Sequence, residues 1–457
     1  MRTLFQISKS GLRNAEKSLS VTSNNIINAD TPGYSRQRVE NAPAGMQMSR
    51  FHAGLGVNIT NVNRLRDEMN DTLLNEKKQD MGYLQKKKDV FEKLESAIVS
   101  DSGGGLDSKI GSLFNNFSEV SSNPQDISIR NNLISEAQQF TAKMSEVSRN
   151  IDRASDLVKD TAVQKVDSVN GLLKDLDQLN DAITKAQAQG KPDHSSLDIR
   201  TQKLGELSEL IDFESQLTDT GALQIRVGGM KVLDENKAHT LKAEVNDVDK
   251  SFKLRMETGH IVKASGGELG GEIEMYEEEI PDMKRRLGTI ASTMVEEFNA
   301  LHQNGYGLED STARNFFTPG NKTAATISVN QALVDNPRHI AASTQAGVAG
   351  NGDMASQIAG LRNKRIVESN ATRNSKLVNY TVELISQPGS KLNGLESSIA
   401  ARDSEIQMLK NQQQEEAGVN IDEELSRMVK FQNAYQGAAR VMSTAQDMYD
   451  TLISIAR

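Results

Sequence analysis

Side chains able to do chemistry are scattered through this 457-residue chain, and their spacing argues against a reaction centre. Six histidines stand at His52, His194, His239, His260, His302 and His339. None has another at the short helical spacing by which one helix holds a metal. Cysteine is absent, which removes thiolate nucleophiles, disulfides and cysteine-ligated metals. Glycine-rich stretches at 103–105, 266–271 and 347–352 could cradle phosphate, but none runs into Lys-Ser or Lys-Thr, so they read as turns. The run Glu277-Glu278-Glu279 could attract a cation. It precedes a helix expected around Pro281, where acidic residues favour the positive end of the helix dipole. No serine sits in a G-x-S-x-G elbow. No catalytic residue, cofactor or metal site is expected.

Composition points the same way. The net charge of −9 argues against general nucleic-acid binding. Lys86-Lys87-Lys88, flanked by Asp80 and Asp89, reads as a solvated helix face. With only 4% aromatics and no Trp, cores must rest on Leu, Ile, Val, Ala and Met, which suits thin-seamed helical bundles. The opening residues lack the apolar core of a secretory signal, and no stretch approaches eighteen apolar residues. Export, if it occurs, is expected to use neither route.

The strongest pattern lies at the two ends. Leu12, Ala15, Leu19, Thr22, Ile26 and Ala29 alternate steps of three and four. So do Met428, Phe431, Tyr435, Ala438, Met442, Ala445, Tyr449, Leu452 and Ala456. Such spacing makes a narrow seam on each helix, the pattern of helices that lie along one another. The N-terminal seam is rich in small and hydroxyl residues, and Asn24, Asn25 and Asn28 would be costly in a dry core. Both helices are therefore expected to be disordered in the single chain and to zip together only among neighbouring copies.

Between the ends the order is nested. A first helix from about Phe5 to Ala29 stops at the turn Thr31-Pro32-Gly33-Tyr34, and an extended segment follows. Helical periods run from Asp67 to Ser100, with Met69, Leu73, Leu84, Leu94 and Ile98 on one face, and again through Leu106, Ile110, Leu113, Phe117 and Val120. The stretch from Pro124 to Pro192 predicts one helix of roughly 60 residues, about 90 Å long. Alternating residues from Phe213 to Ser265 predict a small antiparallel β domain, after which Met283, Leu287, Ile290, Met294, Phe298 and Leu301 restore the helix. Residues 305–353 read as irregular. A last bundle helix, from about Met354 to Glu416, should be kinked or interrupted at Pro388-Gly389. Asn420 and Glu423 form a capping-box-like start for the terminal helix. The expected fold class is mainly α with a small β insert in an elongated rod. Its domains are 1–40 with 419–457 (paired termini), 41–210 with 280–418 (helical bundle), and 211–279 (β).

Ser10-Gly11-Leu12, then the run from Ser23 through Asn28-Ala29-Asp30-Thr31-Pro32-Gly33-Tyr34, resembles the N-terminal signature of bacterial flagellar rod, hook and hook-associated proteins. Ser35-Arg36-Gln37 looks most like the hook-associated members. Gly418 through Glu424, with Phe431-Gln432 and Ala434-Tyr435, is similar to their closing helix, and Gly266 to Glu272 to the segment re-entering the helices. The resemblance implies an extracellular, non-catalytic subunit exported by the flagellar type III apparatus. It would assemble head to tail with copies of itself at the junction of hook and filament. Its partners would be the hook protein below, a second junction protein above, and an export chaperone on the C-terminal helix. The terminal helices would form an inner tube, with the β domain outermost. Leu12, Leu19, Ile26, Tyr435, Met442 and Tyr449 are expected to hold the paired helices. The alternatives are another flagellar axial subunit or, in a different class, a wall-cleaving enzyme with helical targeting arms. Failure of the purified protein to clear peptidoglycan would dispose of the latter.

Overall fold

A computed structural model describes residues 2–44, 56–98, 104–235, 237–309, 313–369 and 373–455. His52, Gly103 and Ala456 lie outside them. The stretch between the two prolines folds as one helix, α4 (Ile127–Ala188), 62 residues long. Asp126 caps its start by accepting from the backbone N–H of Ser128. Around it pack α2 (Glu68–Ile98), α3 (Leu106–Ser122) and α7 (Ile280–His302), and α10 (Leu377–Ala417) packs on these three. All five expected core positions of α3 are fully buried. In α2 Leu94 and Ile98 are buried as expected, but the face of the first turns is shifted. Met69 is 74% exposed and Leu73 also faces water, while Asn70, Leu74, Val90 and Phe91 are buried.

The alternating segment forms two antiparallel sheets. One has the order β3 (Glu214–Leu217), β4 (Leu223–Val227), β5 (Met230–Asp234), β6 (Lys237–Ala238). The other has β7 (Leu241–Asn246), β8 (Ser251–Met256), β9 (Ile261–Val262). Two asparagines of α4 clasp them. Asn180 donates to the Leu223 carbonyl at 2.8 Å and accepts the Leu223 N–H at 2.9 Å. Asn170 does the same with Leu241, at 2.8 Å both ways. Each amide satisfies both backbone groups of a strand's first residue, which would otherwise be stranded against a helix.

Several expectations are corrected. A helix α5 (His194–Leu210) precedes the sheets and had no reading of its own in the sequence. Helix resumes at α6 (Gly267–Glu274), well before 279, and passes through a π turn (Met275–Glu279) into α7. The triple-glutamate run is therefore inside a continuous helical stretch, not at its start. Pro281 supplies the reason: it has no N–H and its ring crowds the carbonyl four residues back, which a widened turn relieves. Glu279 pairs with Lys391 across to α10, and Glu277 accepts the Phe252 N–H at 2.6 Å. Nor is the lysine run solvated. Lys86 meets the fully buried Glu272 at 2.7 Å, Lys87 meets Glu274 at 2.7 Å, and Lys88 meets Glu92 at 2.8 Å. The first two pairs tie α2 to α6, which approach so closely that a methyl on Gly271 would strike the Tyr83 carbonyl oxygen at 2.9 Å.

Three further differences concern the second half. A hairpin, β10 (Arg365–Ser369) with β11 (Arg373–Lys376), separates α9 (Asp353–Gly360) from α10. One helix over the whole stretch was expected. Within α10, Pro388 does not interrupt the helix. It is buried on the face that carries Leu384 and Leu392, where packing offsets a lost hydrogen bond. Finally, 305–353 carries core. Phe316 and Phe317 are fully buried and stack with Phe117, Phe140 and Phe298 at 4.9–6.3 Å between ring centroids. Arg130 pins this segment from α4, donating to the carbonyls of Pro124 at 2.8 Å and Ile340 at 2.7 Å.

Candidate assembly interface

The first helix, α1 (Arg2–Ile27), and the last, α11 (Ile421–Ile455), pack on each other along their lengths. Ser8 donates to the Met442 sulfur at 3.5 Å, a methyl on Gly11 would touch that of Ala438 at 3.4 Å, and Asn25 meets Glu424. Rising numbers on one helix meet falling numbers on the other, so the pair is antiparallel.

The face that α1 buries is one step round from the expected seam. Ser8, Ala15, Ser18, Thr22 and Asn25 are buried, with Val21 beside them and Gly11 completing the alternation of three and four. Ala15 and Thr22 belong to both seams. Leu12, Leu19 and Ile26 are only half-buried, and Ala29 lies in the turn beyond the helix. Small residues at the contact let the backbones approach, but they carry little apolar area, and that is why the larger leucines drew the sequence reading. On α11, Met428, Phe431, Ala438 and Met442 are half-buried and Ala445 is buried. Tyr435 is 43% exposed, and Tyr449 and Leu452 about half exposed, since the last turns of α11 run past the start of α1.

A polar clamp locks the other end of the pair. The Asn25 amide donates to Glu424 at 3.0 Å and to the Gln37 carbonyl at 3.0 Å. Its oxygen accepts the Gln37 N–H at 3.0 Å and the Tyr34 hydroxyl at 2.8 Å. Tyr34 reaches this point because Gly33 turns the chain through a left-handed φ of 81°. Burial, then the charges of Asp198 and Glu424, push the Tyr34 phenol up to about 12. Thr31 closes the turn by accepting the Tyr34 N–H at 3.2 Å, and Pro32 sits within it. Beyond the turn, β1 (Gln37–Pro43) pairs with β2 (Val57–Arg64). Arg36 donates its N–H to Ala417 at 2.9 Å and its guanidinium to Glu423 at 3.3 Å. Arg64 binds Asp198 of α5 at 2.6 Å, tying the terminal unit to the rod. Asn420 caps α11, accepting from Asp422 at 3.0 Å and Glu423 at 3.2 Å.

Asn25 is thus satisfied inside one chain, not between crowded copies. The ends meet without a neighbour, contrary to the expectation that only sister molecules bring them together. The clamp is the reason. Asn28 likewise bonds back to Asn24, at 2.9 Å. Ser8, Gly11, Ser18 and Glu424 carry no expected part in the seam, and Asn25 was expected to bond between copies. Their signal was the same three-four alternation, carried by small and polar residues instead of apolar ones.

The architecture has relatives. A solved structure, the flagellar hook junction protein FlgK from Burkholderia pseudomallei, shares the fold with a TM-score of 0.65 at 12% identity. The match covers 75% of this chain and 99% of that one. Flagellar hook-associated protein 1 of Bacillus subtilis is 25% identical over 500 residues, spanning 98% of this chain and 97% of the relative. The protein of that name from Salmonella typhimurium is 22% identical over 556 residues, with both chains fully covered. The family described as the Flagellar hook-associated protein FlgK helical domain matches residues 91–317. This chain belongs to the flagellar hook-associated protein 1 family.

Two further family matches fall on the terminal pair. The flagella basal body rod protein family matches residues 5–34, which are α1 and its turn. The flagellar basal body rod FlgEFG protein C-terminal family matches residues 410–455, which take in α11. The ends of this chain thus match models named for rod proteins, whereas the helical domain between them matches the hook-associated model.

Proposed function

We propose that this chain is the structural subunit that polymerises into the junction between flagellar hook and filament. The observation that carries this reading is the full-length match to hook-associated protein 1, together with a terminal pair that leaves apolar residues uncovered. Leu19 and Ile26 flank the intramolecular seam, while Tyr449, Leu452 and Ile453 extend beyond it. Such residues suit contacts with neighbouring copies. Contacts between unlike surfaces generate helical tubes, whereas two-fold contacts close into dimers.

On this reading the protein is non-catalytic and acts outside the cell, after export through the flagellar type III apparatus. It would rest on the hook protein, carry a second junction protein, and meet an export chaperone through α11 before secretion. What supports a non-catalytic role is membership of a structural flagellar family. No helix among the described residues is long and apolar enough to cross a membrane.

The test is a deletion strain complemented with tagged protein. We expect label at one band between hook and filament in isolated preparations, and loss of attached filaments without the gene. Label spread along the filament, or filaments attached normally in the deletion, would refute the proposal.

A further inference from the structure

A cavity of about 650 Å³ lies where the terminal hairpin meets the rod. Asn61 to Arg64 of β2 form one wall and Ser215 to Leu217 of β3 another; α2 and α5 supply most of the rest, with Gln187 of α4 and Leu223 of β4. Both strands are paired on one side only. The volume is that of a small-ligand site.

Its charges are unevenly matched. Arg64 is taken by Asp198, and Arg66 grips Asp71 through two N–H groups. Arg200, from α5, is only 7% exposed, and its one bonded partner among the described residues is the Gly221 carbonyl, at 2.8 Å. It makes no ion pair among them. Burying a guanidinium without a carboxylate is costly unless something else compensates it. Nearby, the Nε of Arg64 and the Nδ1 of His194 are buried with no hydrogen-bond partner. The sole opposing charge without an ion pair in the lining is Glu68.

We infer that this cavity is an anion site centred on Arg200, taking a carboxylate or phosphate oxyanion. The planar guanidinium fork offers the matching bidentate geometry. Because the site spans hairpin and rod, its occupant also stiffens the joint that orients the paired termini.

The full chain, at fixed ionic strength in chloride, is titrated with inorganic phosphate and separately with acetate. Melting temperature and arginine side-chain NMR are followed. A saturable rise in melting temperature with a shifted Arg200 Nε–Hε signal is expected, and Arg200→Gln should abolish both. Glu68→Gln, which removes the competing carboxylate, should tighten binding at least threefold. An equal response in Arg200→Gln, or none that saturates in the wild type, overturns the inference. Should Arg200→Gln fail to fold, unchanged affinity in Glu68→Gln overturns it instead. Phosphate that weakens self-association of the concentrated chain identifies the natural occupant as a neighbour's carboxylate; unchanged self-association identifies a free anion.

Discussion

Asn25 donates to Glu424 at 3.0 Å across 399 residues of sequence, with both side chains about 1% exposed. This bond joins the two ends of the polypeptide and explains why a thin seam suffices to align them. Replacing Asn25 by Ala removes four hydrogen bonds and leaves the buried Glu424 carboxylate with only Arg427, 3.9 Å from one oxygen. We expect a cost of about 3 kcal/mol to the pairing of α1 with α11, and none to the rod. Hydrogen exchange resolves the two: amides of α1 and α11 should speed up while those of α4 keep their rates.

Met442 and Leu19 separate pairing from assembly. Met442 lies in the seam against Ser8, whereas Leu19 is half-exposed beside it. Met442→Asp should part the helices in the single chain, read as faster exchange in α1. Leu19→Asp should leave exchange unchanged in the dilute chain yet abolish incorporation into the flagellum. Normal filament attachment in the Leu19→Asp strain would remove Leu19 from the assembly surface.

The wild-type termini should themselves be the least protected helices. Their contact is built from small and half-buried residues, while α4 feeds the continuous main core. Local opening free energy follows that burial. In a dilute sample α1 and α11 are expected to exchange orders of magnitude faster than α4. Comparable protection in all three would show that the clamp alone holds them rigid.

His302 makes the rod sensitive to acid. It is fully buried, its Nδ1 donates to the Arg314 carbonyl at 2.7 Å, and its Nε2 accepts the Ala341 N–H at 2.9 Å. Burial pushes its pKa down from 6.5 to about 4. The unfolded chain takes up a proton near pH 6.5; the folded chain does so only near pH 4. Stability is therefore complete above pH 6.5 and declines as pH falls towards 4, by on the order of 3 kcal/mol. Urea unfolding of the rod at pH 7.5 and 4.5 should show that decline, and His302→Leu should flatten it.

The asparagine clasps predict a local effect. Asn180→Leu leaves both backbone groups of Leu223 unpaired against α4. A loss of about 2 kcal/mol is expected, confined to β3–β6. Amide protection in β7 and β8, held by Asn170, should survive.

Local pattern determined a good deal by itself. The 62-residue helix α4 followed from an unbroken apolar period between two prolines. The stop after α1 followed from Thr31-Pro32-Gly33-Tyr34, and the start of α11 from Asn420. These are properties of consecutive residues: a proline's missing donor, a cap's reach, a repeat of 3.6. The alternating runs near Leu223 and Phe252 likewise announced strands, though not that two asparagines would hold their edges.

Which surfaces meet was decided only in three dimensions. A helix carrying Leu12, Leu19 and Ile26 on one stripe and Ser8, Ala15 and Ser18 on the next offers two seams. Apolar content favours the first, and close backbone approach favours the second. Whether Lys86 faces water or Glu272 depends on a helix 186 residues away, as the pairing of Asn25 depends on one 399 away. Periodicity fixes the phase of each element. Partner choice is a contest between distant surfaces, settled by packing and by the cost of leaving any buried polar group alone.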